Sequence, residues 1–127
     1  MFLLDTIGEL RKAFVLADVA VVGRSFAPLF GSNMLEPILL GKPTVIGPNV
    51  DNFKDMMEKL LAGQGIVQVK DGAELRQAVG RLLDPAEARK LVERGLAVVR
   101  QQQGAVGRHV EWIEKLMAER ASLRDNR

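Results

Sequence analysis

The sequence predicts an α/β fold: a Rossmann-like parallel sheet with helices on both faces, continued by a helical carboxyl-terminal extension. Two observations carry this. Short apolar runs rich in β-branched residues, at 19–22, 44–46 and 65–69, alternate with segments whose apolar residues recur at helical spacing. The first two runs each give way to a polar loop containing glycine, and ligands of such sheets bind beyond the carboxyl ends of the strands. The chain has 127 residues, 47% hydrophobic and 27% charged, which suits one domain with its own core. Within it, 1–70 is the alternating part and 71–127 the helical part.

The elements follow in order. Phe2, Leu3 and Leu4 read as the end of a strand, so the chain opens inside one and reads as a piece of a longer architecture. Residues 8–17 form a helix whose Leu10, Ala13, Phe14 and Ala17 share a face. A core strand at 19–22, a loop at 23–33, a short helix at 34–40 and a buried strand at 44–46 come next. Gly47, Pro48 and Asn49 then turn the chain into a helix over about 52–62. The last strand is 65–69. Asp71 caps a helix lined by Leu75, Ala78, Val79 and Leu82, while Asp84, Pro85 and Glu87 supply an N-cap, a first-position proline and a third-position acid. That helix buries Ala88, Leu91, Val92, Gly95 and Val99 and is expected to break at 101–104. A final helix at 105–123 presents Val106, Val110, Ile113 and Met117, with Trp112 and Leu116 alongside. Strands alternating with helices imply right-handed crossovers and a sheet of four or more strands.

Composition excludes several kinds of chemistry. Without cysteine there is no disulfide, thiolate zinc site or cysteine nucleophile, and the single His109 argues against an imidazole metal cluster. No apolar run is long enough to span a bilayer, and the amino end lacks the pattern of a signal peptide. The net charge of +2 is too small to indicate nucleic acid. It is uneven, however: residues 1–63 carry six Lys and Arg against seven Asp and Glu, and residues 64–127 carry twelve against nine. A solvated helical surface accounts for that excess, and an acidic partner or membrane is the alternative.

Three stretches converge at the carboxyl ends of the strands: 5–9, 23–33 and 47–51. Gly8 and Glu9 open a helix whose free amides favour phosphate. Arg24 is the nearest fixed cation, and Ser25 carries a hydroxyl donor. Asn33 is placed to cap the short helix and to contact a ligand. Glu36, one residue before a proline, has its carboxylate directed toward the loop, where ribose hydroxyls would sit. Each residue also has a purely structural reading: first-turn acids for Glu9 and Glu36, a helix cap for Asn33, a surface cation for Arg24 and turn glycines for Gly23, Gly31 and Gly47.

Residues 5–10, 17–23, 33–37 and 40–43 together resemble, in order and spacing, the carboxyl-terminal half of bacterial 3-deoxy-D-manno-octulosonic acid (Kdo) transferases. Weaker similarity continues through 47–49, 52–53, 69–71 and 104–105, covering most of the chain. The resemblance implies one half of a glycosyltransferase with two Rossmann-like domains. Such enzymes take CMP-Kdo as donor, transfer Kdo to lipid A precursors in lipopolysaccharide biosynthesis, and work at the cytoplasmic face of the inner membrane. It further implies a donor site formed by Gly8, Glu9, Gly23, Arg24, Ser25, Ser32, Asn33, Leu35 and Glu36, with no metal and no cofactor.

The chain departs from the family pattern at two places. Gly23-Arg24-Ser25 stands where two glycines and a serine are typical, and Gly31-Ser32-Asn33-Met34 where the family has glycine, histidine, asparagine and proline. The general base of this family lies in the amino-terminal acceptor domain, so the chain alone is expected to be inactive. Its expected partners are a nucleotide sugar, that acceptor domain, and a second copy through the apolar face of the last helix. The alternatives are an interaction module that retains the fold, and a transferase for another nucleotide sugar.

Overall fold

The computed structural model describes residues 3–4, 8–28 and 33–125, with side chains described through residue 104 and at Ala118. Strands β1 (Ala20–Val22), β2 (Thr44–Ile46) and β3 (Val67–Gln68) form one parallel sheet in that order. Val21 pairs with Val45, and Val45 with Val67. The helices are α1 (Leu10–Leu16), α2 (Leu35–Leu39), α3 (Lys54–Ala62), α4 (Gly72–Leu82) and α5 (Pro85–Asp125), with 3-10 turns at Gly23–Phe26 and Asp51–Phe53.

Both faces of the sheet are covered, as a parallel sheet requires. On one, Val22 and Ile46 pack with Met34, Ile38, Met57, Leu60, Ile66 and Val99, drawn chiefly from α2, α3 and α5. On the other, Val45 and Val69 pack with Ala78 and Leu82 of α4 and Leu91 of α5. Every residue of β2 is therefore buried.

Helix α5 serves both faces. Leu91 belongs to one core cluster and Val99 to the other, about 12 Å farther along at 1.5 Å per residue. Between them Gly95 meets Gly65, just before β3, so closely that a Cβ at Gly95 would lie 2.7 Å from the Gly65 carbonyl oxygen. Val92 likewise approaches Gly41, just before β2. The helix thus crosses beneath the amino ends of the strands and leaves their carboxyl ends open.

Three expectations are corrected. Of the expected strand at 2–4, Leu3 and Leu4 lie outside any strand, and Phe2 is outside the described residues. Among the described residues the sheet has three strands rather than four or more. The expected break at 101–104 does not occur, because a glycine costs a helix only about 1 kcal/mol and no proline stops it. The side chains of Val106, Val110, Trp112, Ile113 and Met117, expected to form an apolar face, lie outside the described ones.

The capping assignments hold. Glu74 N–H donates to Asp71 Oδ1 at 2.9 Å, and Ala86 N–H to Asp84 Oδ1 at 2.8 Å.

Candidate functional site

The carboxyl edge of the sheet is organised around Ser25. Ala20 N–H donates to Pro43 C=O and Val69 N–H to Ile46 C=O, both at 2.9 Å, as in a parallel ladder. The next rung of that ladder would join Gly47 N–H to Val22 C=O. Instead Gly47 N–H donates to Ser25 Oγ at 2.6 Å, and Ser25 Oγ donates to Val22 C=O. The hydroxyl is spliced into the ladder and fully buried. The Ser25 carbonyl in turn accepts from Asn49 N–H at 2.9 Å and Asn49 Nδ2 at 3.1 Å. Gln68 Nε2 donates to Gly47 C=O at 3.2 Å, which ties the end of β3 to the segment after β2. In this arrangement the single proton of Ser25 is engaged within the fold.

Beside this network lies a cleft of about 300 Å³, lined by Leu10 and Phe14 of α1, Ala20 to Gly23, Asn33 and Glu36. Gly23, Asn33 and Glu36, three of the nine residues singled out from the sequence, meet here. Leu35 N–H donates to Asn33 Oδ1 at 2.9 Å, a bond that uses the carbonyl oxygen and not the amide donors of that side chain. The Glu36 carboxylate is half-buried, and its Oε1 lies 3.8 Å from Arg11 Nε. Arg11 was not singled out from the sequence. Its partner Glu36 lies 25 positions away, so no local pattern marks the pair.

The other candidates sit around this cleft or away from it. Arg24 is exposed in the 3-10 turn, next to Gly23. Gly8, with φ of 92°, and Glu9 immediately precede α1 and are exposed. Leu35 packs against the core and lines a second cleft with Asn52 and Phe53. Ser32 lies outside the described residues. A groove of about 410 Å³ on the β3 side, bordered by Arg81, Lys90 and Arg94, has none of the candidates. Lys42 Nζ donates to Val15 C=O at 2.9 Å and anchors the end of α1 beside β2.

A parallel sheet covered on both faces, with a cleft that gathers a glycine, an amide and a carboxylate where β1 ends, defines an α/β domain of the Rossmann-like class. No family model matches the chain. Its sequence is 34% identical over 111 residues to the 3-deoxy-D-manno-octulosonic acid transferase of Bordetella pertussis, and 32% identical over 112 residues to that of Haemophilus influenzae. Each match covers 87% of this chain and 26% of the relative. The fold matches the crystal structure of the C-terminal CMP-Kdo binding domain of WaaA from Acinetobacter baumannii with a TM-score of 0.70 and 30% identity, covering 76% of this chain and 51% of that one. The chain is a homologue of the Kdo transferases and spans about a quarter of the length of the relatives it matches.

Proposed function

We propose that the chain is the donor-binding part of a Kdo-transferase-like glycosyltransferase in lipopolysaccharide biosynthesis, and that a CMP-Kdo-like nucleotide sugar occupies the cleft between α1 and the end of β1. The observation that carries this reading is the meeting of Gly23, Asn33 and Glu36 at the carboxyl end of a parallel strand. Glu36 accepts hydrogen bonds from ribose hydroxyls, the Asn33 amide donates to the ligand, and Gly23 lets the backbone approach it. Arg11 holds the Glu36 carboxylate in the cleft and adds positive charge near the phosphate. The full reaction also requires an acceptor domain that supplies the general base. The assembled enzyme works at the cytoplasmic face of the inner membrane, and the last helix offers a surface for self-association. Among the described residues no helix is long and apolar enough to cross a membrane.

Calorimetric titration with CMP, UDP and GDP tests the reading. CMP is expected to bind most tightly. Glu36→Ala should weaken it by about 1.5–3 kcal/mol, the range of charge-assisted hydrogen bonds, or roughly 10- to 150-fold. The 2′,3′-dideoxy analogue should bind wild type and variant alike. Equal affinity of wild type and Glu36→Ala for CMP would remove the ribose role, and equal binding of all three nucleotides would remove the donor assignment.

A further inference from the structure

The groove of about 410 Å³ on the β3 side lies at the opposite edge of the sheet from the cleft at β1, and its volume falls within the range of small-molecule sites. Its rim is cationic. Arg81 comes from the last turn of α4, and Lys90 and Arg94 from successive turns on one face of α5. Glu87, the one carboxylate among the lining residues, lies 3.3 Å from Lys90. Neither guanidinium has an ion pair or a side-chain hydrogen bond among the described residues. A cation in a last helical turn favours its own helix, which accounts for Arg81. Lys90 and Arg94 lie beyond the first turn of α5, where the helix dipole explains neither.

A second observation comes from the turn that closes α3. Gln64 N–H donates to Leu61 C=O at 3.0 Å and Gly65 N–H to Leu60 C=O at 2.8 Å, a pattern that needs a left-handed residue between helix and strand. That residue is Gln64, with φ of 53°, the only described residue other than glycine with positive φ. Glycine adopts this conformation without steric cost, and a glutamine does not. Gly63 and Gly65 on either side are kept small by the close approach of Val98 and Gly95. The turn thus holds a long polar side chain where its removal would relieve the backbone. The Gln64 side chain lines the groove and makes no hydrogen bond among the described residues, whereas the other amide there, Gln68, is engaged with Gly47.

We propose that this groove binds a phosphomonoester, with the phosphate held by Arg81, Lys90 and Arg94 and a hydroxyl-bearing body resting between Gln64 and Glu87 on Leu61 and Val67. Guanidinium forks match phosphate oxygens two at a time, and one dianionic group offers enough acceptors for three cations. Glu87 accepts only, so it suits a hydroxyl and would repel a second anionic group beside it. This disfavours a diphosphate or an acidic peptide. Leu61 is exposed and Val67 half-buried, which leaves apolar surface for the body of the ligand to cover. A soluble sugar phosphate and a phosphomonoester lipid headgroup share this chemistry.

The test titrates the whole chain at physiological ionic strength with glucose 6-phosphate, glucose and sulfate, followed by calorimetry and amide NMR shifts, and floats it with phosphatidylcholine vesicles with or without phosphatidic acid. Glucose 6-phosphate or the phosphatidic acid vesicles should bind, glucose and plain vesicles should not, and the tighter of the two phosphates identifies the source. Arg94→Gln should weaken that binding by about tenfold or more. Gln64→Gly should raise the melting temperature of the free chain while weakening binding by about threefold or more, a pairing that a merely structural glutamine would not produce. Glu36→Ala should bind as wild type does, so failure of the donor assignment leaves this site untouched. No binding from either source, sulfate held as tightly as the phosphomonoester, binding indifferent to Arg94→Gln or to Gln64→Gly, or binding lost in Glu36→Ala would each overturn the proposal.

Discussion

Ser25 satisfies two buried backbone groups through one hydroxyl, accepting from Gly47 N–H and donating to Val22 C=O. Removing the hydroxyl leaves a donor and an acceptor stranded where water does not reach. Ser25→Ala is therefore expected to lose about 1–3 kcal/mol of stability in urea denaturation. The neighbouring Arg24, exposed in the same turn, serves as the control: Arg24→Ala should stay within about 0.5 kcal/mol of wild type. An equal response from both variants would show that the turn, not the hydroxyl, holds the strands together. The sequence presented Ser25 as a hydroxyl facing a ligand. Its inward bonds depend on a partner 22 positions away, and no local pattern reveals that.

At the scale of elements, the crossing of α5 beneath the strands rests on backbone contact between two glycines. A Cβ at Gly95 would press on the Gly65 carbonyl, which cannot swing aside as a side chain would, so Gly95→Ala should destabilise by about 1–3 kcal/mol. Gly80, exposed on α4 where an added methyl group would meet nothing within 4 Å, should respond with the opposite sign: Gly80→Ala should stabilise by about 0.4–1 kcal/mol. Thermal or chemical denaturation of the two variants decides this. Helix starts were legible in the sequence because capping is local, as Asp71 and Asp84 illustrate. The run of β2 was legible because both its faces are buried. Continuity through residues 101–104 was not, since glutamines and one glycine weaken a helix without specifying an end. Nor was the absence of a strand at Leu3 and Leu4, because a strand exists only with a neighbour. The cleft was legible in part: Gly23, Asn33 and Glu36 follow strands or open helices, whereas Leu10 and Phe14 carried the signature of ordinary core residues.

For the molecule as a whole, donor binding and sugar transfer belong to different parts of the enzyme proposed here. The chain alone should show no transfer from CMP-Kdo to a lipid A precursor, and activity should return when a matching acceptor domain is supplied. A product assay with and without that domain checks this, and turnover by the chain alone would count against the division. Within the turn after β1, Ser25 is buried and Phe26 packs against a core cluster while Arg24 is exposed, so holding the strands together and facing solvent fall to adjacent but separate side chains. This separation bears on how such a protein changes over generations. Arg24 stands where the resembled family has a second glycine, a replacement that a single base change in a glycine codon can produce, and its side chain extends from the turn while Ser25 remains tied within. A lineage can therefore sample new charges at the mouth of the cleft one mutation at a time, with each step exposed to selection on ligand preference and largely hidden from selection on folding.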